Sequence, residues 1–118
     1  LGTAGIHYHI DAELNEEVKN TDMHLFKEVY LISKEFINNS MKYAACKNVY
    51  VMLHKKGDLM NLVLKDDGTG FDVQIRNYSF GGEGIANMYK RAKSINASFE
   101  LQSTRHEGTT LHLSWTDR

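Results

Sequence analysis

The chain contains no proline, a single cysteine and almost no net charge. With no proline and no low-complexity segment in 118 residues, it shows no internal linker, and one domain covering residues 1–118 is predicted. The lone Cys46 excludes an internal disulfide and favours a reducing compartment, so a cytoplasmic location is expected. The formal net charge of −1 gives no broad attraction to nucleic acid or to an anionic membrane, so we expect neither as a direct partner.

Two longer patterns are also missing. No apolar run approaches the ~20 residues of a membrane-spanning helix, and no signal peptide is visible. The P-loop pattern G-x-x-x-x-G-K-[ST] does not occur, so a phosphate site would have to be built differently. The sequence starts at Leu1 instead of methionine, and we therefore expect a fragment of a longer protein.

Hydrophobic periodicity predicts the first half of the secondary structure. Residues 6–10 alternate as a short strand, and residues 11–20 are polar and loop-like. A long helix is predicted from a cap at Thr21 or Asp22 to about Tyr43. Its core stripe consists of apolar residues at helical spacing: Leu25, Val29, Ile32 and Phe36.

The second half predicts two hairpins on either side of another helix. Alternating residues indicate strands over 49–54 and 59–65 with a turn at 56–58, and strands over 99–103 and 109–115. Residues 84–96 are amphipathic, and Asn96 can adopt the left-handed conformation that ends a helix. This order predicts an α+β fold, a two-layer sandwich with a mixed, mainly antiparallel sheet and both helices on one face, because a Rossmann fold would alternate strand and helix throughout.

Four side chains with chemical potential lie on the long helix. Glu35 and Asn39 stand at positions i and i+4, and Lys42 and Tyr43 extend the same face by one turn. An amide oxygen can ligate Mg²⁺, an ammonium group can offset phosphate charge, and a carboxylate can orient an attacking group. The alternative is an ordinary solvated helix face, which the helix taken alone would favour.

A glycine-rich segment follows the fourth predicted element. Asp66 stands where a strand ends, and its carboxylate can accept hydrogen bonds from an exocyclic amine such as adenine N6. Gly68 and Gly70 allow the backbone to turn tightly beside a planar base without a Cβ clash. The alternative is a common Asp-Gly turn.

Two more glycine segments come later. Gly82 and Gly84 precede the second predicted helix, where free backbone N–H groups can bind phosphate oxygens. Thr109, after Gly108, has a hydroxyl that can reach a base directly or through water. A flexible loop and an ordinary turn are the respective alternatives. His7 and His9 share one strand face, yet no third metal ligand lies at a useful spacing.

These segments, in this order, resemble the catalytic ATP-binding domain of sensor histidine kinases, in the superfamily of gyrase, Hsp90 and MutL. The resemblance runs from about residue 21 to 115 and implies the Bergerat-type ATP-binding fold. KEFINNSMKYA resembles the N box. By this resemblance Glu35 is the catalytic carboxylate, Asn39 is the Mg²⁺ ligand, and Lys42 and Tyr43 lie beside the phosphates.

The glycine boxes of that family have counterparts here. DDGTG resembles the first box, with Asp66 reading adenine beside Gly68 and Gly70. GGEGIANMYKRA resembles the second, with Gly82 and Gly84 at the phosphates, and GTT resembles the last, with Thr109 near the base. The expected cofactors are therefore ATP and Mg²⁺.

Two departures from the family pattern refine the expectation. Only residues 71–81 separate the first two glycine boxes, and Asn87, Met88 and Arg91 follow, which resembles the short-lid nitrate-sensor subgroup. That subgroup often has histidine at the position of Tyr43. No phosphoacceptor helix is recognisable, because His7, His9 and His24 lie in no dimerisation motif.

The resemblance implies transfer of phosphate to a histidine on a dimerisation domain outside this chain, and a response regulator downstream of the full-length kinase. An inner-membrane anchor of that longer protein would also lie outside the chain. Three alternatives remain: an anti-sigma serine kinase, a non-catalytic nucleotide-sensing module, and a gyrase- or MutL-type ATPase, which would need a larger lid and a transducer domain.

Overall fold

The computed structural model describes residues 6–14, 18–19, 22–43, 46–68, 83–104 and 108–117. Within these ranges it contains two helices and five strands. The helices are α1 (Met23–Tyr43) and α2 (Glu83–Ser94), and the strands are β1 (His7–Glu13), β2 (Asn48–Lys56), β3 (Leu59–Asp66), β4 (Ser98–Thr104) and β5 (Gly108–Thr116).

The five strands form one mixed sheet in the order β1-β2-β3-β5-β4. β1 runs parallel to β2, and the other neighbours are antiparallel. Both helices share a single hydrophobic core with one face of this sheet, since alternate residues of β3 and β5 are buried with the apolar stripes of α1 and α2. The predicted α+β sandwich is confirmed.

α1 follows the predicted pattern closely. The Asp22 carboxylate accepts the backbone N–H of His24 at 2.9 Å, which caps the free N–H groups of the first turn. Leu25, Ile32 and Phe36 are buried in the core. These buried contacts fix the rotation of α1 about its axis. They therefore also fix the directions in which Glu35 and Asn39 leave the helix.

α2 ends as its sequence predicts, although Ser94 is its last helical residue rather than Asn96. Asn96 has a φ of 55°, in the left-handed region. The N–H of Ala97 donates to the carbonyl of Ala92 at 2.9 Å, and the N–H of Asn96 donates to Lys93 at 3.1 Å. These two bonds are the Schellman pattern, which satisfies carbonyls that the helix leaves unpaired.

β1 is longer than predicted. The prediction ended this strand at residue 10 and assigned 11–20 to a loop, whereas parallel pairing with β2 continues from His7 opposite Asn48 to Glu13 opposite His54. The loop prediction is wrong for residues 11–13, because backbone pairing with a neighbouring strand stabilises polar residues that show no strand pattern of their own. β1 remains an exposed edge, with Ile10 76% accessible.

The two ends of the sheet differ in chemistry. At one end, Asp66 lies between Val49 of β2 and Thr109 of β5. At the other end, Lys55 and Asp117 form a buried ion pair of 3.0 Å, and Asp117 also accepts the backbone N–H of Lys19 at 2.7 Å. No helix in the described residues is long and apolar enough to cross a membrane.

Candidate nucleotide-binding site

Asp66 is the centre of the candidate site. It is the last residue of β3 and is only 2% exposed. Its Oδ1 accepts the backbone N–H groups of Gly68 at 3.0 Å and Thr109 at 3.2 Å, and its Oδ2 accepts the hydroxyl of Ser40 at 2.7 Å. The structure therefore brings together the first glycine box, the last box and the helix that carries the N box.

The hydrogen-bonding capacity of Asp66 is not exhausted by these contacts. An ionised carboxylate accepts about four hydrogen bonds. In the described part of the chain Oδ1 receives two and Oδ2 receives one. Oδ2 can therefore accept one more N–H, as an exocyclic amine would supply.

Ser40 is a site residue that the sequence reasoning missed. It is 2% exposed, and its hydroxyl also lies 3.0 Å from the carbonyl of Phe36. A signal was present, because Ser40 stands four residues after Phe36 and continues the apolar stripe of α1. A polar residue on a buried stripe needs a partner, and Asp66 is that partner.

Gly108 permits β5 to approach β3 closely. It has a φ of 91°, and a Cβ at this position would collide with the backbone carbonyl oxygen of Asp66. The next residue, Thr109, is 5% exposed and shares a 2.8 Å hydrogen bond between its hydroxyl and that of Ser103. The sequence predicted Thr109 near the base, and the structure places it next to Asp66, but neither the steric need for Gly108 nor the role of Ser103 was predicted.

A second contact joins the N box to α2. Gly84 lies in the first turn of α2, inside the helix rather than before it as predicted. A Cβ built on Gly84 would collide with Oε1 of Glu35 and would lie 3.4 Å from Nδ2 of Asn39. Glu35, Asn39 and Gly84 therefore lie together, and only glycine leaves the Glu35 carboxylate in its place.

Glu35 is also reachable from the outer side of the helix pair. A cleft of about 180 Å³ opens between α1 and α2, with Lys34, Glu35 and Asn38 on one wall and Asn87 and Arg91 on the other. A group entering this cleft would approach the Glu35 carboxylate between cationic and amide side chains.

Arg91 in this cleft is held by an ion pair. Its Nη1 donates to Oε2 of Glu28 at 2.9 Å, and the Glu28 side chain is 10% exposed. α1 and α2 are therefore joined by a charged contact beside the cleft as well as by their apolar faces.

Some predicted site residues lie outside what the structure describes. Gly70, Gly82 and the segment 71–81 are not among the described residues, so the short-lid interpretation keeps its status as a prediction. Lys42 and Tyr43 belong to the last turn of α1, but their side chains are not described.

Cys46 is a largely buried residue beside this site. Its Sγ is 3.4 Å from the carbonyl of Ser40, and the residue is 9% exposed. Burial, with the nearby charges of Asp66 and Asp67, raises the pKa of the thiol. A raised pKa disfavours the thiolate, which is consistent with the predicted structural role.

Asn39 offers an amide oxygen of the kind that Mg²⁺ accepts as a ligand. The described residues contain no group of three or more His, Cys, Asp or Glu side chains that could hold a metal. Mg²⁺ commonly uses one or two protein oxygens together with phosphate oxygens and water. Asn39, with Glu35 beside it, fits that pattern.

Comparison with known proteins identifies the family. The profile of the histidine kinase-, DNA gyrase B- and HSP90-like ATPase family matches residues 26–118. The chain is 30% identical over 95 residues to the sensor histidine kinase YdfH of Bacillus subtilis, covering 79% of this chain and 23% of that protein. It is 32% identical over 96 residues to the sensor protein VraS of Staphylococcus aureus, covering 80% and 26%. The chain thus spans about a quarter of the length of these two relatives.

Solved structures agree on the fold. The histidine kinase domain of the blue-light activated histidine kinase EL346 from Erythrobacter litoralis superposes with a TM-score of 0.73 at 14% identity, over 98% of this chain and 54% of that one. The histidine kinase AdeS of Acinetobacter baumannii gives a TM-score of 0.73 at 12% identity, over 94% and 55%. The chain belongs to the histidine kinase-, DNA gyrase B- and HSP90-like ATPase family, and the relatives it matches in sequence include sensor kinases.

Proposed function

We propose that this chain binds Mg-ATP and positions the γ-phosphate for transfer to a histidine on a separate dimerisation domain. The observation that carries the proposal is the setting of Asp66, buried among Ser40, Gly68 and Thr109 with one acceptor position left on Oδ2. Adenine N6 would donate to that oxygen. A purine without a 6-amino group would leave that acceptor position unsatisfied, so the site would favour adenine.

The phosphates would lie toward Glu35, Asn39 and Gly84. The first turn of α2 has free backbone N–H groups that favour an anion, and Gly82 and Gly70 would complete the backbone cradle. Lys42 would offset phosphate charge, and Tyr43 would lie beside it. When bound, Mg²⁺ would neutralise charge on the phosphates, with Asn39 as its protein ligand.

Glu35 would act on the attacking imidazole. Its contact with Gly84 and its access from the α1–α2 cleft support this role, since an acceptor side chain could approach there without crossing the adenine site. The carboxylate would orient the histidine and accept its proton as the phosphorus–nitrogen bond forms and ADP leaves.

The proposed transfer also requires an acceptor histidine outside residues 1–118. Residues 1–118 form one catalytic domain of a longer, cytoplasm-facing kinase of the short-lid subgroup, and the acceptor histidine comes from its dimerisation domain. A response regulator would receive the phosphate from that histidine. No nucleic acid or direct membrane contact is proposed for this domain.

Labelling with γ-³²P ATP tests the transfer. The 118-residue chain alone should not label, whereas adding the upstream helices of the same protein should give an acid-labile, base-stable phosphohistidine. Glu35→Gln should reduce the rate by ~10²–10⁴-fold with little change in ATP affinity. Glu100→Gln, on the exposed side of β4, is the matched control and should label normally.

The outcomes separate the alternatives. An acid-stable phosphoserine on another protein would replace the histidine kinase with a serine kinase. ATP binding without transfer in the reconstituted system would favour a nucleotide-sensing module. Calorimetry that detects no ATP or ADP binding at millimolar ligand would refute the nucleotide site itself.

A further inference from the structure

Asp67, the residue after Asp66, makes four hydrogen bonds although it is exposed and lies just beyond the end of β3. Its Oδ1 accepts the backbone N–H groups of Lys47 and Asn48, both at 2.8 Å, and its Oδ2 accepts the side-chain amide of Asn48 at 2.7 Å. Its own N–H donates to the carbonyl of Asn48 at 3.2 Å. Four bonds therefore fasten this exposed residue to the start of β2.

These contacts favour the charged form of Asp67. Slight burial opposes ionisation, but the bonds from Asn48, Lys47 and the backbone of Asp67 itself outweigh it and hold the pKa of this carboxyl below its usual value. A carboxylate whose two oxygens are both engaged has one well-defined orientation.

The amide of Asn48 is oriented from both sides. Because the Asp67 carboxylate only accepts, the NH₂ group of Asn48 must face it, and the amide oxygen faces Nε2 of His9 at 2.9 Å. His9 Nε2 is therefore the donor in that bond. The His9 ring also stacks on Tyr50, with centroids 4.7 Å apart and planes inclined by 15°.

The backbone that Asp67 fastens is the backbone that folds over Asp66. The N–H of Gly68 donates to Oδ1 of Asp66, two residues earlier in the chain, so the peptide units on both sides of Asp67 must turn back toward that carboxylate. Without the Asp67 side chain, this turn would lose three of its four hydrogen bonds to the start of β2, and Asp67 would keep only the backbone bond from its N–H to Asn48.

We propose that Asp67 and Asn48 form a positioning pair that holds the 66–68 turn in the geometry in which Asp66 reads the adenine amino group. This inference rests on the proposed role of Asp66 and extends it to two residues that need not touch the nucleotide. The pair should affect adenine selectivity and not phosphate binding. Its contacts all lie where β2 begins and β3 ends, next to Asp66.

The test compares two ligands on each protein: ADP, and its analogue that lacks the 6-amino group of adenine. The ratio of their Kd values should exceed tenfold for the unaltered chain, which corresponds to ~1.4 kcal/mol for the amino group. Asp67→Ala should bring the ratio below threefold. Asp58→Ala, an exposed aspartate at the far hairpin, is the matched control and should keep the full ratio.

The ratio also removes the effect of reduced stability. A partly unfolded preparation weakens both apparent affinities by the same factor, so the factor cancels when the two ligands are compared. A residue with a merely structural role would lower both affinities and leave the ratio unchanged.

A charge exchange provides the rescue. Asn48→Asp alone opposes two carboxylates at the position of the 2.7 Å bond and should lower the ratio as Asp67→Ala does. Adding Asp67→Asn restores a donor and an acceptor with the opposite polarity, while the introduced carboxylate can still accept from His9. The double variant should regain at least half of the original ratio on a logarithmic scale.

Each outcome decides one of the two proposals. No ADP binding by the unaltered chain, or equal Kd values for the two ligands, would refute the adenine role of Asp66 itself. A full ratio in folded Asp67→Ala would refute the positioning pair and leave the role of Asp66 intact. If Asp67→Ala does not fold, the comparison of Asn48→Asp with the double variant decides: a ratio that is not restored by the second exchange overturns the proposal.

Discussion

Gly84→Ala should separate stability from activity in this domain. The added methyl group would collide with Oε1 of Glu35 and lie 3.2 Å from its Cδ, so the end of the Glu35 side chain must move. Outside its own helix, the three atoms nearest to the new methyl group all belong to the side chains of Glu35 and Asn39. The collision can therefore be relieved by rotating one flexible side chain without rebuilding the helix.

Gly84→Ala should leave the free energy of unfolding equal or slightly higher and should lower the rate of phosphate transfer. Alanine is favoured over glycine in helices by up to ~1 kcal/mol, so the free energy of unfolding should stay equal or rise slightly. Displacing a catalytic group by ~1 Å costs on the order of 10²-fold in rate. We therefore expect a folded protein with near-normal adenine binding, a weaker contribution of Mg²⁺ to ATP affinity, and about 10²-fold slower transfer.

Three measurements on one preparation check this prediction. Urea denaturation reports stability, titration with ADP and with ATP in the presence and absence of Mg²⁺ reports binding, and γ-labelled ATP with the phosphoacceptor helices reports transfer. Ala86→Gly, two residues further along α2, is the matched control, because it should cost up to ~1 kcal/mol of stability and leave binding and transfer unchanged.

A Gly84→Ala protein with normal transfer and a normal Mg²⁺ effect would refute the reasoning, since the Glu35 carboxylate would then have no required position. A lower free energy of unfolding together with slower transfer would also contradict it, because the added methyl group would then have displaced the helix backbone and not only the Glu35 side chain.

Three further predictions concern buried polar groups and the buried thiol. Ser40→Ala removes a donor from buried Asp66 and should lower the free energy of unfolding by ~1–3 kcal/mol in urea; an unchanged value would mean that this bond contributes nothing. Lys55→Met breaks a buried ion pair and should cost ~3–5 kcal/mol, whereas adding Asp117→Leu should recover part of the loss; a further loss in the double variant would contradict the argument. Because burial raises the pKa of Cys46, its thiol should react with a disulfide reagent at pH 8 far more slowly in the native than in the unfolded protein, and equal rates would refute that burial.

Local patterns in the sequence were sufficient for most of the fold. The apolar stripe of α1, the alternation in β2 and β3, and the left-handed Asn96 each depend on neighbours within a few residues, so α1, β2, β3 and α2 were predicted nearly at their observed bounds. Gly57, with a φ of 60°, likewise occupies the turn that its sequence indicates.

The missed features depend on contacts between distant segments. Asp67 and Asn48 are separated by a complete hairpin, and neither residue type predicts the other. The steric requirement for Gly108 arises only when β5 pairs with β3. Lys55 next to a turn would be expected at the surface, yet Asp117 meets it in the interior from the far end of the chain. Such residues become interpretable only when the register of the sheet is known.

The position of β1 has a consequence for how the domain assembles and opens. The hairpins β2–β3 and β4–β5 close over short loops, whereas β1 reaches β2 in parallel only after the whole of α1 has been crossed. A strand at the edge with exposed residues such as Ile10 contributes little apolar burial. β1 should therefore dock last in folding and exchange its amide hydrogens first. The adenine end of the sheet can then persist through such openings, because Asp66 is held by α1 and β5, and Asn48 keeps its bonds to Asp67 even when the contact with His9 is lost.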